Sequence, residues 1–209
     1  MGKKRVAVLI SGRGSNMTAL IEAASANDYP AEIALVVSNR PEALGLARAR
    51  EAGVATAIVD HRPFGEDREA FERALDAQLS AYRIDFVCLA GFMRLLTPWF
   101  VTRWSGRMLN IHPALLPQFK GLDTHRRALE AGVKQHGATV HFVVPEVDAG
   151  PIVAQGFVAV REDDTEATLA ARVLEVEHRI YPQALRALAE GRASLTSSRK
   201  ENSPGESRA

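Results

Sequence analysis

The feature that most restricts the fold is an alternation in the first half of the chain. Short apolar runs at residues 5–10, 33–38, 55–60 and 85–90 are separated by longer segments of helical period at 16–26, 43–52 and 67–82. Runs of four to eight apolar residues bounded by turn signals read as strands buried on both faces. Strands alternating with helices in this way predict βαβ units and a parallel sheet. The expected fold is therefore α/β: a Rossmann-like open twisted sheet with helices on both faces.

The second half reads differently. A short helical piece at 98–103 precedes a strand ending in Asn110 and His112, then a proline-bounded loop to Gly121 and a helix at 124–130. Apolar runs at 138–144 and 152–160 are joined by PEVDAGP, a composition suited to a loop between antiparallel strands. The parallel N-terminal half thus gains a mixed, antiparallel C-terminal extension. The last helix is expected to start near the acidic cluster at 162–166. It buries Leu169, Val173, Val176 and Ile180 at three-to-four spacing, with a kink at Pro182. From Gly191 to the end the residues are small, polar and charged, which predicts a disordered tail after a single domain over 1–190.

Composition narrows the function. With 209 residues and 46% hydrophobic content, the chain can bury one good core. The net charge is +1 and the charges are interspersed, which argues against a nucleic-acid partner and for a small neutral or anionic ligand. No apolar run approaches the roughly 20 residues that cross a bilayer. The opening MGKKRVAVLIS lacks a signal peptide's cleavage site, so the expected location is cytoplasmic, away from membranes. Cys88, in the apolar run FVCLAG, reads as a buried structural thiol.

The first strand runs into SGRGSN and then a helix, an order that favours an anion, most often phosphate, on the free N–H groups of the helix start. A glycine turn that merely connects strand to helix explains the same letters. A dinucleotide fingerprint would need a third glycine where Met17 stands, although Arg40 after the second strand keeps an NADP-binding oxidoreductase in play. The lysine of a P-loop is absent.

Asn110 and His112 are two apart in a strand, so their side chains share one face, and Pro113 ends the pairing. Histidine exchanges protons near neutrality, and a carboxylate beside it would keep it charged and orient it. Asp148, in the loop between the two late strands, is the candidate; a solvated turn aspartate and a packed histidine remain the plainer explanation. His61, His125 and His136 lie in polar segments and read as solvated, and His141 as packed within an apolar strand. Their spacing, with one cysteine, argues against a metal site.

SGRGSN, AGFMRLL, LNIHPALLP, GATVHFV, VDAGPI and EHRIYP, in that order, closely resemble the glycinamide ribonucleotide transformylases, folate-dependent members of the formyltransferase family. The resemblance spans residues 6–182. Methionyl-tRNA formyltransferases share the Asn, His and Asp elements but are longer at the C-terminus, and 10-formyltetrahydrofolate hydrolases carry an additional N-terminal domain. The resemblance implies the formyltransferase fold, with a ribonucleotide phosphate-binding half over 1–102 and a folate-binding and catalytic half over 103–190. It implies 10-formyltetrahydrofolate as cosubstrate, glycinamide ribonucleotide as formyl acceptor, no metal, and a monomer or homodimer. Gly14, Ser15 and Asn16 match the phosphate cradle and Glu177 the carboxylate that holds the ribose hydroxyls. Leu174, one helical turn earlier, corresponds to a ribonucleotide-side position that is often polar or basic in relatives. Arg68, Met93, Arg94, Leu95, Leu96, Asn110, Val144, Pro145, Glu146, Val147 and Asp148 match folate-binding positions; Pro145 has no N–H to offer there. Asn110, His112 and Asp148 match the catalytic set.

Overall fold

A computed structural model describes residues 2–195. Seven strands form one sheet in the order β3-β2-β1-β4-β5-β6-β7. They are β1 (Lys4–Ile10), β2 (Ala31–Ser38), β3 (Thr56–Ile58), β4 (Phe86–Leu89), β5 (Met108–His112), β6 (Gln135–Phe142) and β7 (Ile152–Ala159). The first five are parallel; β6 pairs antiparallel with β5, and β7 antiparallel with β6. The helices are α1 (Ser15–Ala24), α2 (Leu44–Glu51), α3 (Arg68–Ala81), α4 (Pro98–Arg103), α5 (Thr124–Glu130) and α6 (Glu166–Ala189). This is the expected doubly covered α/β sheet with an antiparallel extension.

Alternation along β1 shows why the sheet needs helices on both sides. Val6, Val8 and Ile10 join one core with Met17 and Leu20 of α1, Leu46 of α2, and Val173 and Ile180 of α6. Ala7 and Leu9 join the other, with Phe71, Leu75 and Leu79 of α3 and Phe100 of α4. Each fully buried Val, Leu or Ile contributes roughly 1.5–3 kcal/mol, so neither face of β1 can be left to solvent.

Two close approaches set the antiparallel edge. A Cβ on Gly137 would lie 2.0 Å from the Gly156 carbonyl oxygen, and one on Gly156 would lie 2.4 Å from Val176 Cγ1. Glycine at both positions lets β6, β7 and α6 stack without a gap. A capping box between Thr165 and Thr168 starts α6. The helix runs on through Pro182, whose carbonyl accepts a hydrogen bond from Tyr29 Oη at 2.7 Å. Residues 191–195 turn back toward the fold: the Arg192 N–H donates to the Ala187 carbonyl at 2.8 Å, and Leu195 packs on the core. The rest of the expected tail lies outside the described residues.

The histidine expectations need correction. β6 begins three residues before the apolar run, so His136 is inside a strand and fully buried, not solvated. Its ring meets His125 edge-on at 5.2 Å and Phe119 at 5.8 Å. His125 and His61 are half-buried, with His61 Nδ1 2.9 Å from the Asn39 carbonyl. Burial, then the neighbouring His125 and His112, push the His136 pKa down to about 4. An unfolded histidine titrates near 6.5. Between those values only the unfolded chain takes up this proton, so the contribution is fully present above pH 6.5 and is lost as pH falls toward 4. The loss amounts to about 3 kcal/mol. Urea unfolding at pH 7 and pH 4.5 should show a marked drop in midpoint for the wild type and a smaller drop for His136→Gln.

Candidate active site

The strand order reverses between β1 and β4, and in open α/β sheets ligands bind at the carboxyl ends of strands flanking such a point. β5 ends there. Leu109 and Ile111 point into the core shared with α1 and α6, which turns Asn110 and His112 to the opposite face. His112 is only 5% exposed. The loop between β6 and β7 folds back so that Asp148 Oδ2 stands 3.4 Å from His112 Nδ1. Asp148 is held in the left-handed region, φ 49°, and accepts the Gly121 N–H at 2.9 Å. Gly150 makes that path possible, because a Cβ there would lie 1.7 Å from the Phe142 carbonyl oxygen.

The hydrogen bonds assign the imidazole. His112 Nε2 lies 2.9 Å from the Phe119 carbonyl, which can only accept, so Nε2 carries a hydrogen. Any further proton must enter on Nδ1, facing Asp148. Burial lowers the His112 pKa below the ordinary histidine value, outweighing the upward pull of the Phe119 carbonyl and of Asp148. Burial and the Asp148 carboxylate thus act on the charge of the ring in opposite directions. Burial pushes the Asp148 carboxyl up, but the His141 ring, the Gly121 N–H and His112 together hold it below the usual aspartate value.

A fourth side chain belongs here that sequence reasoning set aside. His141 lies opposite Asn110 in the β5–β6 register, so the two share a face. Its Nδ1 is 2.9 Å from the Phe142 carbonyl and its Nε2 3.2 Å from Asn110 Nδ2 and 3.7 Å from Asp148 Oδ1. The Nε2 contact with Asn110 holds the amide beside Asp148.

The glycine loop forms a second cluster. Gly14, at φ 73°, precedes the first turn of α1, whose start has no side-chain cap. Asn16 Nδ2 donates to Glu177 Oε2 at 2.6 Å, joining residues 161 positions apart. Burial raises the Glu177 pKa, and Asn16 opposes that rise. Beside this pair, Ser15, Thr18, Arg48, His178 and Arg179 line a cavity of about 500 Å³. Leu174 is half-buried on α6 and does not line that cavity.

The folate-matching residues are spread along one rim. Met93 and Leu95 are 61% and 63% exposed, so neither is a core residue; Leu96 packs on the core below them. The Arg94 guanidinium stands over the Phe71 ring, and Arg68 is exposed at the start of α3. A second cavity, of about 490 Å³, is lined by Leu116, Lys120, Val144, Asp148 and Ile152. Pro145, Glu146 and Val147 are exposed at its edge, and Glu146 pairs with Lys120 at 3.2 Å. Arg40, considered for a 2′-phosphate, is exposed and its carbonyl accepts from Ser38 Oγ. Among the described residues no group of three His, Cys, Asp or Glu side chains could hold a metal, and no helix is long and apolar enough to cross a membrane.

Comparison with known proteins gives matches along most of the chain. The formyl transferase family model matches residues 4–185. Phosphoribosylglycinamide formyltransferase of Escherichia coli is 47% identical over 190 residues, covering 91% of this chain and 89% of that protein. The human trifunctional purine biosynthetic protein adenosine-3 is 49% identical over 193 residues, 92% of this chain, but the chain spans only 19% of its length. The crystal structure of phosphoribosylglycinamide formyltransferase from Brucella melitensis superposes with a TM-score of 0.86 at 53% identity, covering 90% of this chain and 96% of that one. A chain with this sheet, matched along nearly its whole described length, belongs to the formyl transferase family.

Proposed function

We propose that this chain transfers the formyl group of 10-formyltetrahydrofolate to the primary amine of glycinamide ribonucleotide, releasing formylglycinamide ribonucleotide and tetrahydrofolate. The observation that carries the reading is the meeting of Asn110, a buried His112 and Asp148 at the end of β5, with His112 Nδ1 3.4 Å from the Asp148 carboxylate. The name of the Escherichia coli relative supplies the acceptor. The amine nitrogen attacks the formyl carbon, and the carbonyl π pair moves to oxygen. An Asn110 N–H meets that oxyanion, as preorganised donors do in acyl transfer. The attacking nitrogen must shed one proton and the departing folate nitrogen must gain one. His112 takes the proton on Nδ1, where Asp148 stabilises it, and the proton returns to the folate nitrogen as its bond to the formyl carbon breaks.

On the ribonucleotide side, the N–H groups of the α1 start receive the phosphate and Glu177 the ribose hydroxyls. Phosphate also needs cations. Leu174 has none to offer, whereas Arg48 and Arg179 line the cavity beside Ser15 and form no ion pair among the described residues. Arg48→Ala and Arg179→Ala are each expected to raise the ribonucleotide KM about five- to tenfold, with the folate KM unchanged. Initial rates at varied concentrations of each substrate check this.

The proposal is tested by following the absorbance of the folate with purified protein and 10-formyltetrahydrofolate, with and without glycinamide ribonucleotide. Release only in the presence of the amine supports transfer. Release without it makes the chain a hydrolase, and a spectral change seen only with a nicotinamide cofactor would return the NADP-dependent alternative.

A further inference from the structure

The segment at 93–96, exposed at Met93 and Leu95, is fastened at both ends by side chains that no part of the proposed chemistry uses. Between β4 and α4 the chain has neither strand nor helix, yet it holds Met93 and Leu95 largely in solvent. Two exposed apolar side chains two residues apart leave apolar surface that a flat apolar ligand face could cover. At the near end, the Met93 N–H donates to Ser11 Oγ at 2.8 Å, and Ser11 Oγ in turn donates to Asn39 Oδ1 at 2.6 Å. At the far end, the Thr97 N–H donates to Glu72 Oε1 at 2.6 Å, and the Thr97 hydroxyl donates to Glu72 Oε2.

The Glu72 arrangement is unusual for two reasons. The residue is 1% exposed, on the α3 face that packs on the sheet, and it forms no ion pair among the described residues. A buried carboxyl without a cation is costly unless its oxygens are well supplied with donors. Both donors come from one residue, Thr97. That residue is the N-cap of α4, where a threonine hydroxyl normally accepts from the helix start, but it makes no such cap bond. The hydroxyl serves Glu72 instead. An apolar residue at position 72 with an ordinary threonine cap would give the same helices at lower cost, so stability alone does not account for the pair.

We infer that Glu72 is a positioning residue for the folate: through Thr97, with Ser11 at the other end, it holds the 93–96 backbone so that Met93 and Leu95 stand open to receive the flat pterin ring. The inference rests on the proposed folate site. Glu72 touches no substrate and takes no part in proton transfer.

The test uses Glu72→Ala, Glu72→Gln and Thr97→Val in the full chain. For each, steady-state kinetics yield the folate KM, the ribonucleotide KM and kcat, and equilibrium dialysis measures direct binding of tetrahydrofolate. Glu72→Ala and Thr97→Val should raise the folate KM and weaken tetrahydrofolate binding at least tenfold, leaving the ribonucleotide KM unchanged and kcat within threefold. Glu72→Gln should recover most of the loss, because its carbonyl still accepts the Thr97 N–H and its amide can donate to the hydroxyl. Thr97→Val leaves the buried carboxyl in place and keeps the test decisive if Glu72→Ala does not fold. Unchanged folate binding in Thr97→Val, or a parallel loss of both KM values and kcat, overturns the inference. If the wild type binds tetrahydrofolate but transfers no formyl group, the transfer reading falls while the binding comparison still decides this one. A wild type that binds no folate overturns both.

Discussion

Asp148→Asn is expected to lower turnover about 10³-fold while KM for either substrate changes by no more than a fewfold. The replacement keeps the size and an acceptor for the Gly121 N–H, so the loop stays where it is. What disappears is the negative charge 3.4 Å from His112 Nδ1. Burial already disfavours the protonated imidazole, and without the carboxylate only the Phe119 carbonyl is left to offset that penalty. Proton transfer by a positioned group typically supplies about 10²- to 10⁴-fold in rate, which sets the size of the effect. His112→Ala should fall in the same range, and the double variant should be little worse than either single one, because the two act as a unit. Steady-state kinetics with both substrates varied checks this; wild-type turnover in both single variants would discard the assignment.

Gly150→Ala is expected to be as damaging to activity as Asp148→Asn, and to destabilise the protein by about 3 kcal/mol or more. Its Cβ would lie 1.7 Å from the Phe142 carbonyl oxygen, and both atoms are tied to backbone, so the loop must move. Asp148 sits two residues away on that loop, and a displacement of about 1 Å at a catalytic group can cost about 10² in rate. Urea unfolding and kcat on the same preparation separate the two losses. A variant with normal stability and normal turnover would mean that the loop between β6 and β7 is free to adjust, so that Gly150 does not set the position of Asp148.

The fold was legible because strand and helix periods differ, and the first half of the chain keeps them apart. The burial of 6, 8 and 10 on one face and 7 and 9 on the other follows directly from the length of the RVAVLI run. What the pattern hid was the start of β6. Gln135, His136 and Gly137 carry no apolar signal, and they enter the strand because Gly137 allows close pairing with Gly156. Missing those residues left His136 on the surface when the sequence was read alone. His141 was expected to be a packed histidine, which it is; its place opposite Asn110 depends on the β5–β6 register, which a 22-residue connection does not encode locally.

The site was legible in its residue types but not in its electrostatics. The spacing of Asn110 and His112 reveals a shared face, and the loop composition points to Asp148. Neither reveals that His112 is nearly sealed from water, so that burial opposes the pull of the carboxylate on its charge. The Asn16 to Glu177 bond joins the first helix to the last, and no local pattern announces it. Glu72 is buried by the packing of α3 on the sheet, a tertiary fact that its residue type does not announce.

The most direct measurement follows a label on the formyl carbon of 10-formyltetrahydrofolate through a single turnover with glycinamide ribonucleotide, in the wild type and in Asp148→Asn. The expected result is label on the ribonucleotide amine and none in formate, with delivery slowed at least 100-fold in the variant although both substrates stay bound. Label appearing in formate, or delivered at the wild-type rate by Asp148→Asn, would contradict direct transfer assisted by the His112–Asp148 pair.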